Sequence, residues 1–217
     1  MNEEKIWNYL KGKGLTDIAV AGIMGNLYAE SGLLPNNLQN TYNSILMLSD
    51  DEYTKAVDNG SYTNFVYDQA GYGLGQWTFW SRKRDLQKLA KDLNKSIADL
   101  YTQLDFLVDE LKEFGLFNKV NACTTIRDAS NLILNEYEKP YDTGSAVQTA
   151  RANYAQGYYN EFHNKPVQPQ VPDPIPAQDS GNFVMLAIIK DINSKTAADL
   201  RYRLEAEGFY TMIMPGL

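Results

Sequence analysis

The chain has 217 residues, 44% of them hydrophobic and 22% charged, enough for one well-buried domain with some chain left for an accessory piece. A formal charge of -7 and a pI near 4.8 exclude a partner held mainly by phosphate neutralisation, such as nucleic acid, because that mode needs clustered Lys and Arg. The single cysteine, Cys123, excludes an intrachain disulfide and a cysteine-based zinc site, and no metal or organic cofactor is implied.

In chain order, the first segment, MNEEKIWNYLKGKG, is polar and acidic and lacks the apolar stretch of a signal peptide. No run of about 18 apolar residues occurs later, so the expectation is a protein made in the cytoplasm without a signal peptide or membrane span. Thr16 or Asp17 is placed to cap a helix running through IAVAGIMGNLYAES, with Ser31-Gly32 and then Pro35 as its stop. Residues 36–75 are rich in Asn, Asp, Tyr, Ser and Gly with weak periodicity. They predict long loops, a short helix near 51–57 and a small hairpin. Apolar residues three and four apart predict further helices over 82–90, 97–111, 126–137 and 146–162.

Five of the eight prolines fall inside NKPVQPQVPDPIPAQDSG. Proline holds φ near about -65° and favours extended backbone, so residues 164–180 read as a semi-rigid linker. Residues 181–217 run from an apolar stretch through a polar turn and an amphipathic helix to a second apolar stretch, a β-α-β pattern too short to fold alone. The expected architecture is a mostly α (α+β) domain over 1–163 with one small irregular or β lobe, the linker, and a small α/β segment that anchors to a wall or self-associates.

Two motifs carry chemistry. The first is Asn26-Leu27-Tyr28-Ala29-Glu30-Ser31-Gly32, which places Glu30 in the last turn of a helix. That turn is the negative end of the macrodipole, where ionisation of a carboxyl is disfavoured, and apolar surroundings would add to the effect. A protonated Glu is what glycosidic cleavage requires, since the leaving oxygen must receive a proton. A solvated helix-end carboxylate fits the same local pattern, because the dipole contributes only about 0.3–1 kcal/mol.

The second motif is Gly71-Tyr72-Gly73-Leu74-Gly75-Gln76-Trp77, whose glycines permit positive φ and close approach of the backbone to another group. Gln76 offers a donor and an acceptor for sugar hydroxyl or N-acetyl groups, and Tyr72, Trp77 and Trp80 have faces suited to stacking on a sugar ring. A Gly-rich turn with Trp77 in the core fits equally well. Asp50, Asp51, Glu52, Asp58, Asp68 and Glu138 are the candidates for a second carboxylate. Cys/His and Ser/His/Asp mechanisms both depend on His163, the sole histidine, which lies beside the linker, and no nucleophile-elbow pattern surrounds a serine.

The run AGIMGNLYAESGLLP at 21–35, followed by GYGLGQWT at 71–78, resembles the phage tail-tip lysozyme family found in endolysins and tail-associated lysins. The Glu-Ser and Gly-Leu-x-Gln pairing is also similar to goose-type lysozymes and soluble lytic transglycosylases. The likeness continues through Trp80-Ser81-Arg82-Lys83 and Tyr137-Glu138-Lys139-Pro140 to about Phe162. The resemblance implies a lysozyme-like fold in which Glu30 is the general acid/base. Tyr72, Gly75, Gln76 and Trp77 would line the saccharide cleft, with Tyr137 near the acid. It implies bacterial peptidoglycan as the partner, and either hydrolysis or formation of an anhydro-muramic end as the outcome. Without a signal peptide, an endolysin that waits for holin-mediated release is the expected setting. A catalytically silent glycan-binding protein on the same fold is the competing reading.

Overall fold

The computed structural model describes residues 2–166. All but the start of the expected linker, and the whole of the expected β-α-β segment, lie outside the described residues. In chain order there are α1 (Asn2–Gly12), α2 (Asp17–Ser31), α3 (Asn40–Leu46), α4 (Asp50–Asp58), α5 (Trp80–Asp92), α6 (Leu100–Glu113), α7 (Leu116–Asn121) and α8 (Ile126–Leu132). A π-helical turn, Ile133–Glu138, follows α8, and α9 (Ser145–Phe162) closes the domain. The domain is mostly helical, and no sheet forms among the described residues.

Local chemistry sets most of these boundaries. The Thr16 hydroxyl accepts the Ala19 amide and starts α2, and Gly32 ends it in the left-handed conformation, φ 63°, with its amide donating to Tyr28 O. Asp99 accepts the Thr102 amide at 2.8 Å, so α6 begins at Leu100 and Ile97 belongs to the preceding turn, a shift from the expected 97–111. Ser49 and Glu52 form a reciprocal capping box at the start of α4. The segment forming α1 is polar overall, and Ile6, Trp7 and Leu10 fall on one face and are buried.

α2 is the central element. Residues 19–27 are buried on every side, which a surface helix never is. Gly22 and Gly25 make this possible. A Cβ on Gly22 would lie 2.7 Å from the Ala129 side chain and 2.8 Å from the Ala129 and Ser130 backbone of α8. On Gly25 it would lie 2.6 Å from Arg151 O and 2.7 Å from Ala155 N of α9. Glycine costs about 1 kcal/mol against alanine within a helix, and here it allows two helix backbones to approach α2 directly. Gly25→Ala is therefore expected to lose about 1–3 kcal/mol net, because α9 has to move away from α2. Denaturant unfolding checks this: a gain in stability, as helix propensity alone predicts, would contradict the close contact.

The irregular lobe over 36–75 has a core of its own, in which Leu38, Tyr53, Val57, Phe65, Ala70 and Tyr72 pack with Ala90 and Ile97. Lys83 of α5 is wholly buried beneath it. Its ammonium pairs with Asp68, donates to Ala70 O at 2.7 Å and sits over the Phe65 ring. Asp68 also accepts the Tyr53 hydroxyl at 2.5 Å and the Tyr62 hydroxyl at 3.1 Å. Burial pushes the Lys83 ammonium below its ordinary range, and Asp68 opposes that shift. The expected hairpin is reduced to single antiparallel bridges, Leu38 to Tyr72 and Tyr72 to Trp77.

Candidate active site

Glu30 stands in the last turn of α2, its side chain 21% exposed, and Arg151 Nη2 of α9 donates to its Oε1 at 2.5 Å. Arg151 is itself positioned from α2: its Nη1 donates to Asn26 Oδ1 at 3.1 Å. The Asn26 amide in turn donates to Gly22 O and to Ser130 O of α8. Three helices thus meet in one polar relay that ends on Glu30. The sequence left the surroundings of this carboxyl open; the structure places a guanidinium against it. Neither Arg151 nor Asn26 stands out in the sequence, where each looks like an ordinary helix residue.

Glu138 closes the π-helical turn, just before Lys139 at φ 51°. π turns arise where a helix must re-aim its side chains, often at functional sites. Glu138 Oε1 is buried and has no hydrogen-bond partner among the described residues. The charged groups that act on it are Glu30, Arg82, Arg151 and Glu110. Burial first, and then the charge of Glu30, push this carboxyl up to about 8, with Arg82 and Arg151 pulling less strongly the other way.

The other acidic candidates are committed to the framework. Asp50 accepts from Leu38 N and Asn43 Nδ2, and Asp51 from Asn36 at 2.8 Å. Glu52 belongs to the capping box, Asp58 accepts Ile97 N at 3.0 Å, and Asp68 holds Lys83. An open depression of 720 Å³ on the α3 and α4 side is bordered by Asn36, Asn43, Asp50 and Asp51. It includes neither Glu30 nor Glu138.

The glycine-rich loop is tied to α2 by a hydrogen bond, Ser31 Oγ donating to Leu74 O at 3.0 Å, so the residue after Glu30 anchors the loop. Gln103 of α6 holds the loop from behind, accepting Leu74 N at 2.9 Å and donating to Pro35 O at 2.7 Å. The close approach that the glycines allow is to the protein's own side chains. A Cβ on Gly73, φ 75°, would lie 2.6 Å from Gln103, and one on Gly71 2.8 Å from Gln76 Oε1. Gln76 adopts φ 43°, a conformation unusual for a side-chain-bearing residue, and its Nε2 donates to Asn37 Oδ1 at 2.8 Å and Gly73 O at 3.1 Å. The donors of Gln76 are thereby used on the protein's own groups, within the loop and on Asn37.

The expected cleft residues Tyr72, Gly75, Trp77 and Tyr137 are buried and present no face to a ligand. Their polar tips are satisfied internally, which makes core packing the favourable place for such large rings. The Tyr72 hydroxyl bonds Thr54 Oγ1 at 2.5 Å. Trp77 Nε1 donates to Glu110 Oε2 at 2.9 Å, and Tyr137 donates to the same oxygen at 2.6 Å. Arg82 adds Nε to Oε1 at 2.6 Å and Nη2 to Oε2 at 2.8 Å. Burial and the adjacent Glu110 raise the Tyr137 hydroxyl well above its ordinary range, keeping it a donor. Of the aromatics suited to stacking, Trp80 keeps an exposed face, 44% accessible, with Tyr67 stacked beside it and Phe79 next to it.

Among the described residues no group of three or more His, Cys, Asp or Glu side chains is arranged to hold a metal ion, and no helix is long and apolar enough to cross a membrane. What the site offers is acid–base chemistry: one partly exposed carboxyl gripped by a guanidinium, and a second whose Oε1 is covered and without a hydrogen-bond partner among the described residues. Residues 1–162 match the family model described as phage tail lysozyme. That span contains the helix-end glutamate, the tethered glycine loop and the turn bearing Glu138, and the chain belongs to the phage tail lysozyme family, a lysozyme-type domain that acts on peptidoglycan.

Proposed function

We propose that this protein is a muramidase-type endolysin that cuts the β-1,4 bond between N-acetylmuramic acid and N-acetylglucosamine, with Glu30 as the general acid. The observation that carries this reading is the setting of Glu30. Its carboxyl is partly exposed, held in one orientation by Arg151, and stands beside a loop tied down through Ser31. In the proposed reaction Glu30 protonates the leaving oxygen as the bond to the muramic anomeric carbon breaks, and water completes the cleavage. Gln76 and the loop backbone would shape the saccharide cleft, and Trp80 would supply a stacking face. Residues 181–217 are assigned to wall anchoring or self-association, and holin-mediated release would bring the enzyme to its substrate.

A lytic transglycosylase is the second reading, favoured by the commitment of Asp50, Asp51, Glu52, Asp58 and Asp68 to caps and the Lys83 pair. With no loop carboxylate free to act opposite Glu30, the C6 hydroxyl of the substrate would attack in place of water. Mass spectrometry of digested, purified peptidoglycan separates the outcomes. Hydrolysis leaves a reducing muramic end, transglycosylation an anhydro-muramic end, and a glucosaminidase a reducing glucosamine end. No new ends relative to heat-inactivated protein would leave a glycan-binding protein as the answer.

A further inference from the structure

We infer that Tyr67, Phe79 and Trp80 form an exposed aromatic platform on which the sugar rings of a peptidoglycan strand stack. The inference rests on the reading of peptidoglycan as the substrate and adds the surface that grips the strand.

The three rings adjoin one another and face solvent, Tyr67 being 67% exposed, Phe79 62% and Trp80 44%. Tyr67 and Trp80 lie nearly parallel, 23° between their planes and 6.4 Å between centroids, and Phe79 continues the surface 6.0 Å from Trp80. Beneath them is the buried pair of Lys83 and Asp68. Asp68 follows Tyr67 in the chain, and Lys83 stands one turn after Trp80 on α5, so the pair ties the two segments that carry the rings. A buried ion pair adds little net stability, because desolvation offsets the attraction; here it fixes which two segments lie together. Phe79 and Trp80 also follow directly on the glycine-rich loop, where Thr78 Oγ1 donates to Gln76 O at 2.9 Å.

The occupant follows from chemistry, size and charge. A pyranose ring has an apolar C–H face and a hydroxyl-bearing edge, which suits amphipathic rings with polar groups at their border. Arg84 supplies that border: its guanidinium lies 5.1 Å from the Trp80 ring centre and pairs with exposed Asp85, offering donors and acceptors to hydroxyl and N-acetyl groups. Three rings, roughly half exposed, present on the order of 300 Å², well short of the about 800 Å² that each partner brings to a stable protein complex. A second copy of the chain is therefore a poor fit. A formal charge of -7 opposes attachment to an anionic membrane surface.

Trp80 is the exposed one of the three tryptophans, Trp7 and Trp77 being buried, so fluorescence quenching by neutral acrylamide reports on the platform directly. The test titrates soluble, uncrosslinked glycan strands from purified peptidoglycan into the full chain, as wild type and as Glu30→Gln. Bound strand is expected to shield Trp80 from acrylamide in both. By calorimetry Trp80→Ala should weaken strand binding about tenfold or more and Tyr67→Ala about three- to tenfold, the scale for truncating an aromatic anchor, while Trp80→Phe retains binding. All three positions are exposed, and thermal unfolding checks that the variants remain folded. Should one unfold, wild-type shielding alone decides.

Strand binding that leaves Trp80 fully quenchable overturns the platform, as do Trp80→Ala and Tyr67→Ala proteins that bind strands like wild type. A lower solution mass for Trp80→Ala than for wild type also overturns it and makes the face an interface between copies. The enzymatic reading fails separately. Shielding of Trp80 without new glycan ends leaves the platform standing on a protein that does not cut, and new ends with Trp80 unshielded leave the enzyme without this platform.

Discussion

Glu30→Gln is expected to abolish clearing of purified cell walls, with a loss of about 10³-fold or more, since a positioned proton donor contributes about 10²–10⁴-fold. The amide is close in size and shape to the carboxyl, and its oxygen still accepts from Arg151 Nη2, so the relay from Ser130 through Asn26 and Arg151 keeps its geometry. The fold and wall binding should therefore survive, with a stability change of no more than about 1–2 kcal/mol. Turbidity of a wall suspension and a pull-down with the same walls measure the two properties side by side. Retained clearing would remove Glu30 from the acid role. Loss of both clearing and binding would mean that the substitution damaged the cleft and not the chemistry. A glycan-binding protein that never cuts would show no difference in clearing between the two proteins, because neither would clear.

Glu110→Ala should produce the largest loss of stability in the domain, about 3–5 kcal/mol, because it strips the shared acceptor from a buried charged network. The Glu110 side chain is 6% exposed and accepts from Arg82 twice, from Trp77 and from Tyr137. Removing it leaves a guanidinium, an indole N–H and a phenol hydroxyl facing one another without an acceptor. Against a total stability of about 5–15 kcal/mol, such a loss corresponds to a fall in Tm of about 6–20 °C. The double change Arg82→Met with Glu110→Leu takes away the charge along with its partner and should recover much of the loss. Thermal and denaturant unfolding of the two single variants and the double variant form the cycle. Glu110→Ala within about 1 kcal/mol of wild type would show that the network contributes little to the fold.

These two results bear on different parts of one neighbourhood. Tyr137, held by Glu110, immediately precedes Glu138, and Arg82, held by the same carboxylate, is among the charges acting on Glu138. Glu110 thereby holds Tyr137 and Arg82 in place, while Asn26 and Arg151 position Glu30. A substitution in the network should consequently lower stability and activity together, whereas Glu30→Gln should separate them.

Several features were readable from the residues alone because their causes are local. Thr16 and Gly32 delimit α2 through bonds made within a few residues, and that places Glu30 in a final helical turn without knowledge of anything else. The helical stretches ending at α9 and the irregular character of residues 36–75 follow from periodicity and composition. The order of the two motifs, with the glutamate helix before the glycine loop, was likewise enough to identify the family that the match over residues 1–162 establishes.

What surrounds Glu30 was not readable, because it depends on contacts between residues far apart in the chain. Arg151 lies 121 positions from its carboxylate partner, and an arginine in a helix carries no mark that says which side chain it will meet. The burial of Tyr72, Trp77 and Tyr137 was undecided for the same reason: an aromatic ring with a polar tip suits a wet cleft and a core equally until a partner such as Thr54 or Glu110 takes up the tip. Glu138 stood in the sequence as one acid among six, and only tertiary packing around the π turn covers its Oε1 while leaving Glu30 partly open. The sequence by itself determined that Glu30 stands in a final helical turn; the tertiary structure decided which charges face it, because electrostatic environment is a property of distance in space and burial, not of distance along the chain.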